Sequence, residues 1–146
     1  MRWPNRSAAF MIAFLVVGCG GDDATAPPIG SIVGAWTATM YQYTSVPPGT
    51  TYDVVAYGGI ATLEFQQDGD FVLVVSPPGV LSTTTYGFWE LNQDMMSLTP
   101  QGMPFAWEFD AALINGALSL RGAAVEYDFD GDYAPDSATL DMLLVK

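Results

Sequence analysis

Four aspartates crowd one short stretch of the chain, "EYDFDGDYAPDSAT", at positions 128, 130, 132 and 136. Carboxylates at alternate positions can converge on one hard cation, because calcium prefers several oxygen ligands and its loops supply them from every second residue. Counted from Asp128, the four carboxylates take the first, third, fifth and ninth places of such a loop, and Ala134 offers a carbonyl at the seventh. Two departures exclude an EF-hand. The sixth place, where glycine lets the chain turn with positive φ, is Tyr133, and the twelfth, where a bidentate glutamate belongs, is Thr139. The competing reading is an acidic turn between two strands. In strand register Val125, Tyr127 and Phe129 face inward, while Glu126, Asp128 and Asp130 face water. The sequence leaves both open: a weak calcium site formed by Asp128, Asp130, Asp132 and Asp136, or a solvated connection.

Little other chemistry is available. The chain has no histidine and a single cysteine, Cys19. Imidazole-based triads and zinc sites are therefore absent, as are internal disulfides. Glu64, Glu90 and Glu108 sit on strand-like segments, but no spacing sets two of them up as an acid and base pair of the kind that hydrolyses glycosides. No catalytic residue is nominated, and the protein is not expected to be an enzyme. After residue 18 the only basic residues are Arg121 and Lys146 against sixteen acidic ones, a formal charge of −14. Such a surface repels phosphate backbones, which argues against nucleic acid as a partner, and it repels acidic lipid headgroups as well.

The elements that position these residues begin after an address. "MRWPNRSAAFMIAFLVVGCGG" carries two arginines, an apolar run from Ala8 to Val17, and then Gly18-Cys19. The run is about half the roughly twenty residues a membrane-spanning helix needs, so it reads as a signal-peptide core. Val16-Val17-Gly18-Cys19 resembles the lipobox of bacterial lipoproteins. That resemblance implies cleavage after Gly18, acyl chains on Cys19, and an extracytoplasmic, lipid-anchored protein in the cell envelope. Several acyl chains hold firmly where one would not. Gly20 follows the cysteine where an aspartate would resemble an inner-membrane retention signal, so the outer membrane is favoured where two membranes exist. Residues 19–30 are expected to be a tether, flexible at first and stiffer at Pro27-Pro28, and residues 31–146 one domain.

The body reads as strands. Half of all residues are hydrophobic, with fifteen glycines and ten prolines. No helical stripe of ten residues appears, and short β-branched and aromatic runs are cut by turn residues. The spacing predicts strands over 33–44, 52–57, 60–67, 70–76, 81–91, 95–99, 104–111, 117–121, 123–129 and 138–145. Asp68-Gly69, Asn92-Gln93-Asp94 and Asn115-Gly116 mark hairpin turns. Alternation places Gly87, Trp89 and Leu91 on one face of a strand and Tyr86, Phe88 and Glu90 on the other; Phe105, Trp107 and Phe109 share a face of another. An antiparallel meander with no helix to cover it can remove its edges by closing. The expected fold is therefore all-β, a small up-and-down barrel of about 8–10 strands.

"IVGAWTATMYQY", "ATLEFQQDGDFVLVV" and "TTTYGFWELNQDMMSLTP" together resemble bacterial lipocalin-like lipoproteins, in which a Gly-x-Trp opens the barrel and another recurs in a later strand. The resemblance spans about residues 31–146 and rests on Gly34-x-Trp36 and Gly87-Phe88-Trp89. It implies a cation covering Trp36, for which Arg121 is the candidate, with a surface pairing of Arg121 as the alternative. Nineteen aromatic residues are enough to line a ligand cavity or to fill the interior completely. The functional expectation is a small apolar ligand or a protein partner. The segment 44–59, with Tyr52 and Tyr57, could serve as a partner-binding loop or could pack on the barrel lip.

Overall fold

The computed structural model describes residues 26–146; the segment expected to be a signal peptide, Cys19 and the first part of the expected tether lie outside the described residues. A one-turn helix, α1 (Ile29–Ile32), precedes nine strands: β1 (Gly34–Ser45), β2 (Thr51–Asp53), β3 (Ile60–Phe65), β4 (Asp70–Ser76), β5 (Thr83–Asn92), β6 (Met95–Pro100), β7 (Trp107–Ile114), β8 (Ala117–Tyr127) and β9 (Asp136–Val145). Every neighbouring pair is antiparallel, in the order β2-β1-β3-β4-β5-β6-β7-β8-β9, and β9 returns onto β1 from Thr37↔Val145 to Ser45↔Ala138. Eight strands thus form a closed up-and-down barrel, with β2 added beside β1. Closure satisfies ladder groups that an open sheet would leave as edges.

Turn chemistry sets the register. The β3–β4 hairpin closes a four-residue loop over positions 66–69 with Gly69 at φ 94°, and the β7–β8 hairpin turns in two residues, Asn115-Gly116, with φ 51° and 82°, the positive values that a two-residue hairpin turn requires. The inward positions then build the core: Leu63 and Phe65 of β3, Phe71 of β4, Met96 and Leu98 of β6, Phe109 of β7, Leu118 and Leu120 of β8, and Leu140, Met142 and Leu144 of β9 are all essentially inaccessible.

Four sequence expectations are corrected. First, the domain begins before residue 31: Pro27 is already buried and Ile32 fully so, and α1 closes one end of the barrel. Second, 117–121 and 123–129 form one strand, bent by a bulge between Leu120 and Ala123. Gly122 sits at the bulge with φ 85°, and its amide donates to the Asp141 carboxylate at 2.7 Å. Third, the segment expected at 104–111 starts only at Trp107, because Pro100–Gly102 turns first, with the Met103 amide on the Pro100 carbonyl. Phe105 therefore lies outside the strand and is exposed, and does not share the inward face of Trp107 and Phe109. Fourth, 52–57 shortens to three residues, since Asp53 ends the strand by accepting from the amides of Tyr41 and Val55 at 3.1 and 3.0 Å.

The wall divides at two places. β1 pairs with β3 only from Gly34 to Thr37. Above that point β2 takes over, the Val54 amide donates to the Tyr41 carbonyl at 2.9 Å, and Val54 is buried in the split. β7 and β8 pair from Ile114↔Ala117 up to Asp110↔Arg121 and no further. Past the bulge β8 follows β9 alone, and among the described residues no backbone hydrogen bond joins Ala123–Tyr127 to β7. The first split is sealed and the second is a gap.

Candidate functional site

The two ends of the barrel differ. At the α1 end the indole Nε1 of Trp36 donates to the Ile32 carbonyl at 2.7 Å, fixing the helix beneath the core. The ammonium of Lys146 lies 4.8 Å from the centre of the Trp36 ring and donates to the carbonyls of Ser31 and Val33 at 2.9 and 3.1 Å. One cation thus caps carbonyls at the end of α1 and covers the indole face. This corrects the assignment to Arg121. Arg121 sits on the outer surface of β8, opposite Asp110 in register, with Nε donating to Ser119 Oγ at 3.3 Å. Arg121 falls mid-barrel, whereas Lys146 follows directly on the strand that closes against β1.

The opposite end is lined with tyrosines. Tyr41 and Tyr43 come from β1, Tyr52 from β2 and Tyr127 from the end of β8. Tyr127 stacks on Tyr43 with centroids 4.2 Å apart and on Tyr52 at 5.5 Å. Tyr52 stacks in turn on Tyr57 at 5.0 Å, and Tyr41 meets Tyr43 edge-on at 5.5 Å. Tyr52 therefore packs on the barrel lip, while Tyr57 stacks on its outer side and stays largely exposed. Within this roof of tyrosines lies a cavity of about 240 Å³, walled by Tyr41, Tyr43, Tyr52, Val75, Trp107 and Tyr127 among others. A groove of about 570 Å³ shares Tyr41, Tyr43 and Trp107 with it and reaches Met103 and Phe105 on one side of the β7–β8 gap and Val125 and Glu126 on the other. The barrel is thus solid at the α1 end and hollow at the tyrosine end.

Burial works against ionisation of the hydroxyls of Tyr41, Tyr43 and Tyr127. Burial pushes the Tyr41 hydroxyl well above the ordinary tyrosine value, helped by Tyr43. Burial also raises Tyr43; its hydrogen bond to Tyr41 at 3.4 Å works the other way without cancelling that effect, and Tyr52 adds to the rise. Tyr127 is raised by burial, then by Tyr52, Tyr43 and the carboxylate of Asp128. A depression of about 710 Å³ at the α1 end, between Ile29, Val33, Trp89 and Leu91, is larger but shallow. It offers no comparable enclosure.

The aspartate loop connects β8 to β9 beside this mouth. Asp128, Asp130 and Asp136 each bring an oxygen within 4.8 Å of the others; Asp132 stands outside that group. The carboxylates are engaged by the loop's own backbone. Asp128 accepts from the amides of Gly131 at 2.7 Å and Tyr133 at 3.0 Å, Asp130 from Asp132 at 3.2 Å, Asp132 from Ala134 at 2.8 Å and Asp136 from Phe129 at 3.4 Å. Partial desolvation of Asp128 works upward, but the amides of Gly131, Tyr133 and Asp132 and a hydrogen bond with Asp130 outweigh it and hold this carboxyl below the usual aspartate range. Tyr133 does adopt positive φ, 68°, with its side chain almost wholly exposed, so its ring clashes with nothing.

These hydrogen bonds account for the loop as an Asx-type turn without an ion. The expected result is a melting temperature that does not move between EDTA and millimolar calcium, with no heat on calorimetric titration. A calcium-dependent rise would instead make Asp128, Asp130 and Asp136 ligands of a weak site.

No protein-family model matches the chain, and the search of curated proteins returns no match.

Proposed function

We propose that this protein is a lipid-anchored, extracytoplasmic barrel of lipocalin-like type that holds a small apolar ligand in its tyrosine-walled cavity. The observation that carries this reading is the contrast within one interior, filled near α1 and open under the tyrosine roof. Ligand sites are concave and mostly apolar with a few polar groups, and about 300–1,000 Å³ in size. The cavity is just below that range, and the adjoining groove extends it toward the β7–β8 gap. Access through the side wall suits a molecule with an apolar body, since Met103, Phe105 and Val46 present exposed apolar surface beside it. The anchor rests on the sequence at Cys19. No acid and base pair emerges at the cavity, and the reading is of binding without catalysis.

Native mass spectrometry of protein taken from its own envelope is expected to show a bound small molecule that a Val75→Phe variant, which fills the cavity, fails to retain. Freshly isolated wild-type protein that repeatedly carries nothing would favour the alternative, a barrel serving only as a protein-interaction module.

A further inference from the structure

Resting on that cavity, we propose that its ligand is an amphiphile with a cationic head group, an alkyl or aryl ammonium, and that carboxylate-headed fatty acids are rejected. The argument starts from where positive charge is missing. Among the described residues only Arg121 and Lys146 are cationic. Lys146 is committed at the opposite end of the barrel, over Trp36 and against the carbonyls of Ser31 and Val33. Arg121 lies on the outside below the gap, facing Asp110 across the ladder. Neither lines the cavity or its groove.

What does surround the mouth is acidic or neutral. Glu126 lines the groove. The Asp128 carboxylate is near enough to Tyr127 to be felt by its hydroxyl, and Asp130 and Asp136 cluster with it in the same loop. The cavity wall itself carries no charged side chain: it is made of the rings of Tyr41, Tyr43, Tyr52, Trp107 and Tyr127 together with aliphatic and threonine side chains. A carboxylate head bound here would lie among like charges with no cation to pair with, and an unpaired charge taken out of water is strongly disfavoured. An ammonium head meets the reverse situation. Carboxylates stand at the mouth, tyrosine and tryptophan rings offer electron-rich surface, and the net field of the chain draws cations toward it.

The test uses three ligands with one tail: dodecyltrimethylammonium, dodecanoate and a neutral dodecyl maltoside. Each is titrated below its micellar concentration into the whole mature chain and followed by tryptophan fluorescence, in about 20 mM and about 500 mM salt. The ammonium is expected to bind at least ten times more tightly than dodecanoate at low salt, with the neutral ligand between them and the spread narrowing as salt screens the charges. Val75→Phe, or Thr85→Phe on the same cavity wall, is expected to weaken all three together; either variant serves if the other misfolds. Dodecanoate binding as tightly as the ammonium overturns the head-group assignment and leaves the apolar cavity standing. Ammonium binding that persists unchanged in both filled variants shows attraction to the acidic surface only, and also overturns it. Failure of all three to bind removes the cavity reading itself.

Discussion

A Trp36→Ala variant is expected to lose about 4 kcal/mol of stability, the range for deleting a large aromatic from a core being roughly 3–5 kcal/mol. Trp36 is 2 % exposed, and three interactions meet on it. Its ring fills the α1 end of the interior, its Nε1 supplies the hydrogen bond that holds the Ile32 carbonyl, and its face is covered by Lys146. Removing it leaves a hole, a buried carbonyl short of its donor, and an ammonium with nothing beneath it. Domains are commonly stable by only about 5–15 kcal/mol, so urea unfolding followed by circular dichroism should show a midpoint close to the onset of wild-type unfolding. Lys146→Met separates the contributions. It removes the cation and keeps the indole, and should cost no more than about 2 kcal/mol. Equal losses in both variants would mean that the cation, and not the buried ring, holds this end together.

Gly87→Ala is expected to be nearly as damaging, for the opposite reason. Gly87 points into the barrel on β5, opposite Phe71 of β4 and Pro100 of β6. A methyl group placed there would collide with the Thr99 carbonyl oxygen, and would lie 2.6 Å from the Phe71 ring and 2.9 Å from the Pro100 Cα. Two of those three obstacles are backbone and cannot rotate away. Overpacking of this kind typically costs about 1–3 kcal/mol; because the clash is with the ladder itself, the upper end of that range is expected, with faster hydrogen exchange where β5 pairs with β6. Gly49→Ala provides the control. Nothing lies within 4 Å of a Cβ at Gly49, and substitution there should stay within about 0.5 kcal/mol of wild type. A Gly87→Ala variant as stable as Gly49→Ala would show that the wall yields more easily than these distances allow.

The architecture was legible because alternation and turn chemistry are local. Trp89 and Leu91 face inward and Tyr86, Phe88 and Glu90 outward as their spacing requires, and Asp68-Gly69 and Asn115-Gly116 turn where the residue types say they must. Bulges are not local in that sense. Between Ala38 and Met40 the pairing of β1 slips by one residue, so Trp36 and Ala38 face inward at even positions while Tyr41 and Tyr43 face inward at odd ones. Period-two reading cannot detect that change, and the tyrosine cavity depends on it. The break at Gly122 had the same effect, dividing one strand into two expected ones. The substitution of Lys146 for Arg121 over Trp36 is a matter of barrel closure. Which cation reaches the indole follows from the register of β9 on β1, and no spacing along the chain encodes that register. The aspartates were legible as a cluster, but their engagement by backbone amides, with Asp132 left outside the group, required the loop's own conformation.

The position of α1 also gives the molecule a direction. The chain joins the barrel at the solid end, beneath Trp36, while the tyrosine roof and the β7–β8 gap lie at the other. Whatever precedes residue 26 therefore enters at the filled base, and the tyrosine-lined mouth is the end farther from that entry.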